Sequence, residues 1–100
     1  FHDVWCRMGY EHIPGGHADA FATSIAMYLR PDSVRAELIS NPYNADVDWD
    51  DPALDFAQVT RTGVIGDPTP SSAELGKRLW PEVVKTVAGI LASIELGDQG

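Results

Sequence analysis

The sequence predicts an α/β arrangement whose sheet is completed by residues other than these, and three observations lead there. Blocks with helical spacing alternate with a few short extended ones. The last block carries an apolar stripe too wide to face water. The 100 residues hold little strand sequence with which to cover it. An apolar content of 44% suits one globular domain or a piece of a larger one.

The opening FHDVWCRMGY and the PGG turn after it read as a short strand and a loop over residues 1–16. With no Met at its start and aromatic residues at once, this opening reads as the interior of a longer polypeptide. A helix is expected from Ala18 to Leu29, because Phe21, Ala22, Ile25, Ala26 and Leu29 recur at helical spacing and Pro31 blocks continuation. His17 or the glycine before it then lies at the helix N-terminus, where unpaired N–H groups and the positive dipole end face outward. A short helix from an Asp32 cap through Leu38 is expected next. Residues 41–70 are loop-rich, with an extended strand or hairpin from Phe56 to Ile65 that Gly66, Asp67 and Pro68 end. The final helix is expected over Ser71–Leu96, started by Ser71 or Ser72 with Glu74 and closed by Gly97. Its stripe comprises Leu75, Leu79, Trp80, Val83, Val84, Val87, Ile90, Leu91 and Ile94, and Pro81 is expected to kink or restart it.

Charge narrows the function. Seven Lys or Arg against fifteen Asp or Glu leave a net −8, which argues against a nucleic-acid backbone or an anionic membrane as partner. No run approaches a membrane span. The lone Cys6 admits no internal disulfide and fits a reducing, cytoplasmic setting; it has no nucleophile signature and reads as a buried thiol.

Two local patterns fail on inspection. Asp46, Asp48 and Asp50 begin like a calcium loop, but Asp51 stands where glycine is needed and Ala57 where glutamate is needed, leaving an acidic surface loop. Gly63 and Gly66 lack the spacing of a nucleotide loop. The stretch GGHAD, residues 15–19, admits two readings. His17 with Asp19, and His12 five residues earlier, can gather imidazoles and carboxylates round one point; alternatively His17 caps the helix and Asp19 complements its dipole. No metal signature such as HExxH is present, so no metal ligand is expected in this chain.

HADAFATSIAMYLRPDSVR, residues 17–35, resembles the stretch HAGxxETSLMLALRPDLVR of the creatininase (creatinine amidohydrolase) family. GVIGDPTPSSAELGKRLWPEVV, residues 63–84, resembles that family's closing GVxGDPxxASAEKGRRLLE. The resemblance implies a three-layer α/β fold with a mainly parallel sheet, of which residues 1–100 form the C-terminal portion of a single domain. It also implies metal-dependent hydrolysis of a non-peptide C–N bond in a cyclic amide or formamide of a small molecule. The divalent metal (zinc, manganese or iron) and the rest of the fold would come from a companion N-terminal chain of the same protein. That unit would assemble as a homo-oligomer, often a hexamer.

By the same resemblance His17 is the catalytic candidate, giving a proton to the leaving nitrogen while metals activate the attacking hydroxide. Gly15 and Gly16 let backbone approach the substrate, and Asp19 joins them as substrate-binding. Thr23 and Ser24 read as helix packing. The chain departs from the motif at Ala22, where the family has glutamate, at Ala20, often acidic there, at Asp19 in place of glycine, and at Gly16, acidic in several members. These departures keep a second expectation in play, a non-catalytic scaffold or binding subunit of the same fold. A third is an unrelated acidic α/β domain that folds alone.

Overall fold

The strongest apolar periodicity in the chain produces its two long helices, and they pack on each other. The computed structural model describes residues 1–40 and 48–98. Within them α1 spans His2–Arg7, α2 Ala20–Leu29, α3 Phe56–Val59 and α4 Ala73–Asp98, with 3-10 turns at Pro31–Ser33 and Ala36–Leu38.

Helix α2 starts where its first unpaired N–H finds an acceptor. The Asp19 carboxylate takes the Ala22 N–H at 3.0 Å, so the cap is Asp19 and not His17. At the other end Arg30 N–H reaches Ala26 O at 2.8 Å and Pro31 stops the helix, as the sequence predicts. The helix expected from Asp32 to Leu38 is instead two 3-10 turns. Val34 between them is extended (φ −105°, ψ 123°) and breaks the helical run.

Helix α4 begins at Ser72, whose hydroxyl accepts the Leu75 N–H at 3.0 Å. Its first half lies against α2. The two backbones approach so closely that a Cβ on Gly76 would run into the Ser24 carbonyl. Ser24 is fully buried, and its hydroxyl accepts the Ser72 N–H at 3.1 Å, tying the two helices at their crossing. Leu75 and Leu79 fill the seam with Ala20 and Trp5. Each such leucine contributes on the order of 1.5–3 kcal/mol by leaving water. Of the kink or restart expected at Pro81, no restart occurs: the helix runs unbroken through it, and Gly97 lies inside the helix and not at its cap.

Residues 1–16 depart from expectation most. Val4 and Trp5 are buried on a six-residue helix, not a strand. The aromatic content that suggested extended chain serves packing. Trp5 meets Phe21 edge-on at 5.7 Å and Tyr10 at 4.8 Å, and its indole N–H reaches Ile13 O at 3.4 Å. Phe56–Ile65 is likewise no hairpin. It opens with α3 and then turns at Thr60 and Thr62, whose side chains bond neighbouring N–H groups.

No strand occurs among the described residues. Among the described residues an isolated antiparallel bridge, His17 to Ile65, joins two segments. The mainly parallel sheet of the sequence expectation is therefore not found among them. Of the acidic loop, Asp46 lies outside the described residues. Asp48 and Asp51 use their carboxylates to close local turns on Asp50 N and Ala53 N.

Candidate active site

Pro14 to Asp19 forms a loop between the helical opening and α2, and a second loop, Gly63 to Pro68, locks onto it. His17 N–H donates to Ile65 O at 3.0 Å, and Ile65 N–H donates to His17 O at 2.8 Å. One turn further, Asp67 N–H donates to Pro14 O at 2.8 Å. Gly66 is buried at the junction with φ +114°, and a Cβ there would stand 2.6 Å from Gly15 Cα and 2.5 Å from Pro14 O. Only glycine supplies both that conformation and that closeness. Asp67 then turns the chain toward α4 by accepting from Thr69 N at 2.9 Å and Thr69 Oγ1 at 2.6 Å.

This clamp fixes the imidazole. His17 Nδ1 lies 2.5 Å from the Gly63 carbonyl, which can only accept, so Nδ1 carries the proton and Nε2 is the basic ring atom. Between His17 and the cap sits Ala18 at φ +51°, a left-handed conformation that costs a non-glycine residue on the order of 1–2 kcal/mol. The loop is held in it by Asp19, whose second oxygen takes the Gly16 N–H at 2.8 Å. Both Asp19 oxygens thus accept backbone N–H groups, one inside the loop and one at the head of α2.

A cleft of about 400 Å³ opens beside this loop. The sequence-derived residues Gly15, Gly16, His17 and Asp19 all line it, with Ala22 and the aromatic wall of Phe1, Trp5 and Phe21. His12, grouped with His17 on spacing, is not part of the lining; His2 and Glu11 are. Glu11 was missed because a carboxylate six residues before a histidine matches no local motif. Only the fold of α1 and the following turn brings it there. Cys6, outside the cleft, is half-buried with its Sγ 3.4 Å from His2 Nε2. Among the described residues no three His, Cys, Asp or Glu side chains gather as a metal-holding group. Nor is any helix among them long and apolar enough to cross a membrane.

What the clamp joins are the two segments quoted above for their likeness to one family. The family model described as "Creatininase: Creatinine amidohydrolase" matches residues 5–91. A solved structure of a mutant creatininase is similar to this chain with a TM-score of 0.57 and 22% identity. The match covers 75% of this chain and 30% of that one, so the chain spans about a third of the length of the structure it matches. Comparison with curated proteins finds no match.

Proposed function

Because the chain belongs to the creatininase (creatinine amidohydrolase) family, we propose that it is the C-terminal portion of a metal-dependent amidohydrolase acting on a non-peptide C–N bond of a small molecule. The family supports a hydrolase of C–N bonds, and the likeness in structure supports a creatininase-like fold. The described residues do not by themselves fit a divalent metal, since no donor cluster exists among them. In this proposal zinc, manganese or iron belongs to a companion N-terminal segment, which also completes the mainly parallel sheet. Assembly of that unit into a homo-oligomer and a cytoplasmic setting complete the reading.

The observation that carries the role of His17 is its anchoring. With Nδ1–H held on the Gly63 carbonyl, the imidazole presents Nε2 in one orientation. Protonated there, it hands its proton to the nitrogen leaving the carbonyl carbon as the C–N bond breaks, and returns to the neutral tautomer the carbonyl already favours. Gly15 and Gly16, without side chains, let substrate reach the loop backbone, and Asp19 holds that backbone in place.

The test is His17→Ala in the full-length, metal-loaded protein. Turnover is expected to fall about 100-fold or more, the scale of lost general-acid catalysis, with metal content unchanged. Full turnover would remove His17 from the chemistry. The alternative, a non-catalytic binding subunit of the same fold, draws on Ala22, which lines the cleft where the resembled motif carries glutamate. Full-length protein with neither stoichiometric metal nor turnover would favour it.

A further inference from the structure

The carbonyl that holds the imidazole belongs to a peptide unit whose other end is also held. His17 Nδ1 lies 2.5 Å from the Gly63 carbonyl oxygen, and the N–H of that same unit, carried by Val64, donates to Thr62 Oγ1 at 3.3 Å. A trans peptide is planar, so its N–H and C=O point in opposite directions and turn together. This unit needs such a tether. Gly63 stands at φ +84°, and a Cβ built on it would meet nothing within 4 Å. Glycine is thus required here by conformation and not by space, and its backbone turns more freely than that of any other residue. Thr62 is tied in turn to Thr60: its N–H donates to Thr60 Oγ1 at 3.3 Å, and the two hydroxyl oxygens lie 3.4 Å apart. Thr60 is buried, so the row of bonds starts from a fixed point. An N–H engaged as a donor also polarises its own peptide, which makes the carbonyl a better acceptor.

We propose that Thr62 is a positioning residue for His17: its hydroxyl aims and polarises the Gly63–Val64 peptide, which keeps the imidazole proton on Nδ1 and leaves Nε2 as the basic atom. The inference rests on the reading of His17 as the proton donor of this site. The backbone bridge to Ile65 holds the main chain of the histidine loop, whereas Thr62 governs the ring, acting through one peptide bond and touching no reacting atom.

The test uses full-length, zinc-loaded protein with isotope-labelled histidine, the His17 ring nitrogens being assigned by their loss in His17→Ala. At pH 8 the wild type is expected to show the proton on Nδ1. Thr62→Val removes the hydroxyl at nearly constant volume and is expected to move part of the population to the Nε2–H tautomer. With that shift kcat is expected to fall about fivefold, the scale of one neutral hydrogen bond, while KM and metal content stay unchanged. Thr62→Ser, which restores the hydroxyl, is expected to restore both the tautomer and kcat. If Thr62→Val lowers the thermal midpoint but leaves the tautomer in place, Thr62 merely shapes the turn and the proposal is overturned. A tautomer that Thr62→Ser does not restore overturns it too. Should Thr62→Val fail to fold, Thr62→Ala is judged by the same spectrum. A tautomer shift in a protein without turnover defeats the hydrolase reading alone. Turnover in the wild type with an unmoved tautomer in the variant defeats this inference alone.

Discussion

Asp19 and His17, two residues apart, share one loop by dividing its work. His17 is held through its own N–H, its carbonyl and Nδ1, all to the segment Gly63–Ile65. Asp19 holds the loop from the other side, bonding Gly16 N and Ala22 N and keeping Ala18 at φ +51°. Asp19→Ala removes both bonds and is expected to cost about 1–2 kcal/mol, the scale of a lost N-cap, read as a lowered thermal midpoint of the full-length protein. Asp19→Asn keeps an oxygen for the Ala22 N–H but turns an NH2 donor toward the Gly16 N–H, losing that one bond, and is expected to fall between. A rise in KM without loss of stability in Asp19→Asn would show that the carboxylate also touches substrate. Spacing grouped His17, Asp19 and His12, and the family resemblance added Gly15 and Gly16; the cleft is lined by His17, Asp19, Gly15 and Gly16 but not by His12. The sequence could not rank Asp19 above His17 as cap, because both stand within two residues of the first helical turn. Nor could it reveal the Gly63 carbonyl, 46 residues on, that sets the imidazole tautomer.

At the scale of elements, periodicity was legible in proportion to its length. The apolar spacing of α2 and α4 extends over enough turns to fix both helices but not their buried faces: Leu75 and Leu79 of the α4 stripe are inside, while α2 buries Ala20 and Ser24 and leaves Ala22 and Leu29 exposed. Helix α1 has only six residues, too few for a period to show, and its aromatic residues favour strand by propensity alone. The alternation in Phe56–Ile65 was misleading for a related reason. Thr60 and Thr62 bond to nearby backbone, which replaces a ladder with a turn. Helix α4 also carries an internal conflict, since Pro81 withholds an N–H from the Lys77 carbonyl while the helix continues past it. Pro81 is exposed, so its ring gives little packing in return. Pro81→Ala is expected to raise stability by about 1–3 kcal/mol, seen as a higher thermal midpoint. A lower midpoint would mean that the proline serves a contact made elsewhere in the full-length protein.

The molecule as a whole is less compact than its length predicts. Its radius of gyration is 15.5 Å, against about 13 Å for a compact domain of 100 residues. The second half of α4 accounts for this: Val84, Val87, Ile90, Leu91 and Ile94 are each 41–58% exposed. Five large apolar side chains on one stretch of helix are more than a water-facing surface ordinarily carries. In the proposed full-length protein the rest of the fold covers them. Ile90→Glu combined with Ile94→Glu is then expected to cost more than about 2 kcal/mol, because each places an uncompensated charge in an apolar seam. A thermal midpoint unchanged by the pair would show that this face meets water in the complete protein. The sequence expressed this need through the width of the stripe, and among the described residues no strand meets it.

The bridge between His17 and Ile65 also has a consequence for how this family region tolerates change. It closes a ring of chain whose ends are pinned by two backbone hydrogen bonds. The entropy of closing such a ring grows only with the logarithm of its length, about 0.6 kcal/mol for each doubling. Segments between α2 and the second loop can therefore lengthen, shorten or be exchanged at small thermodynamic cost, while the geometry at the two ends is preserved. The intervening chain can diversify without re-inventing the clasp that orients the histidine.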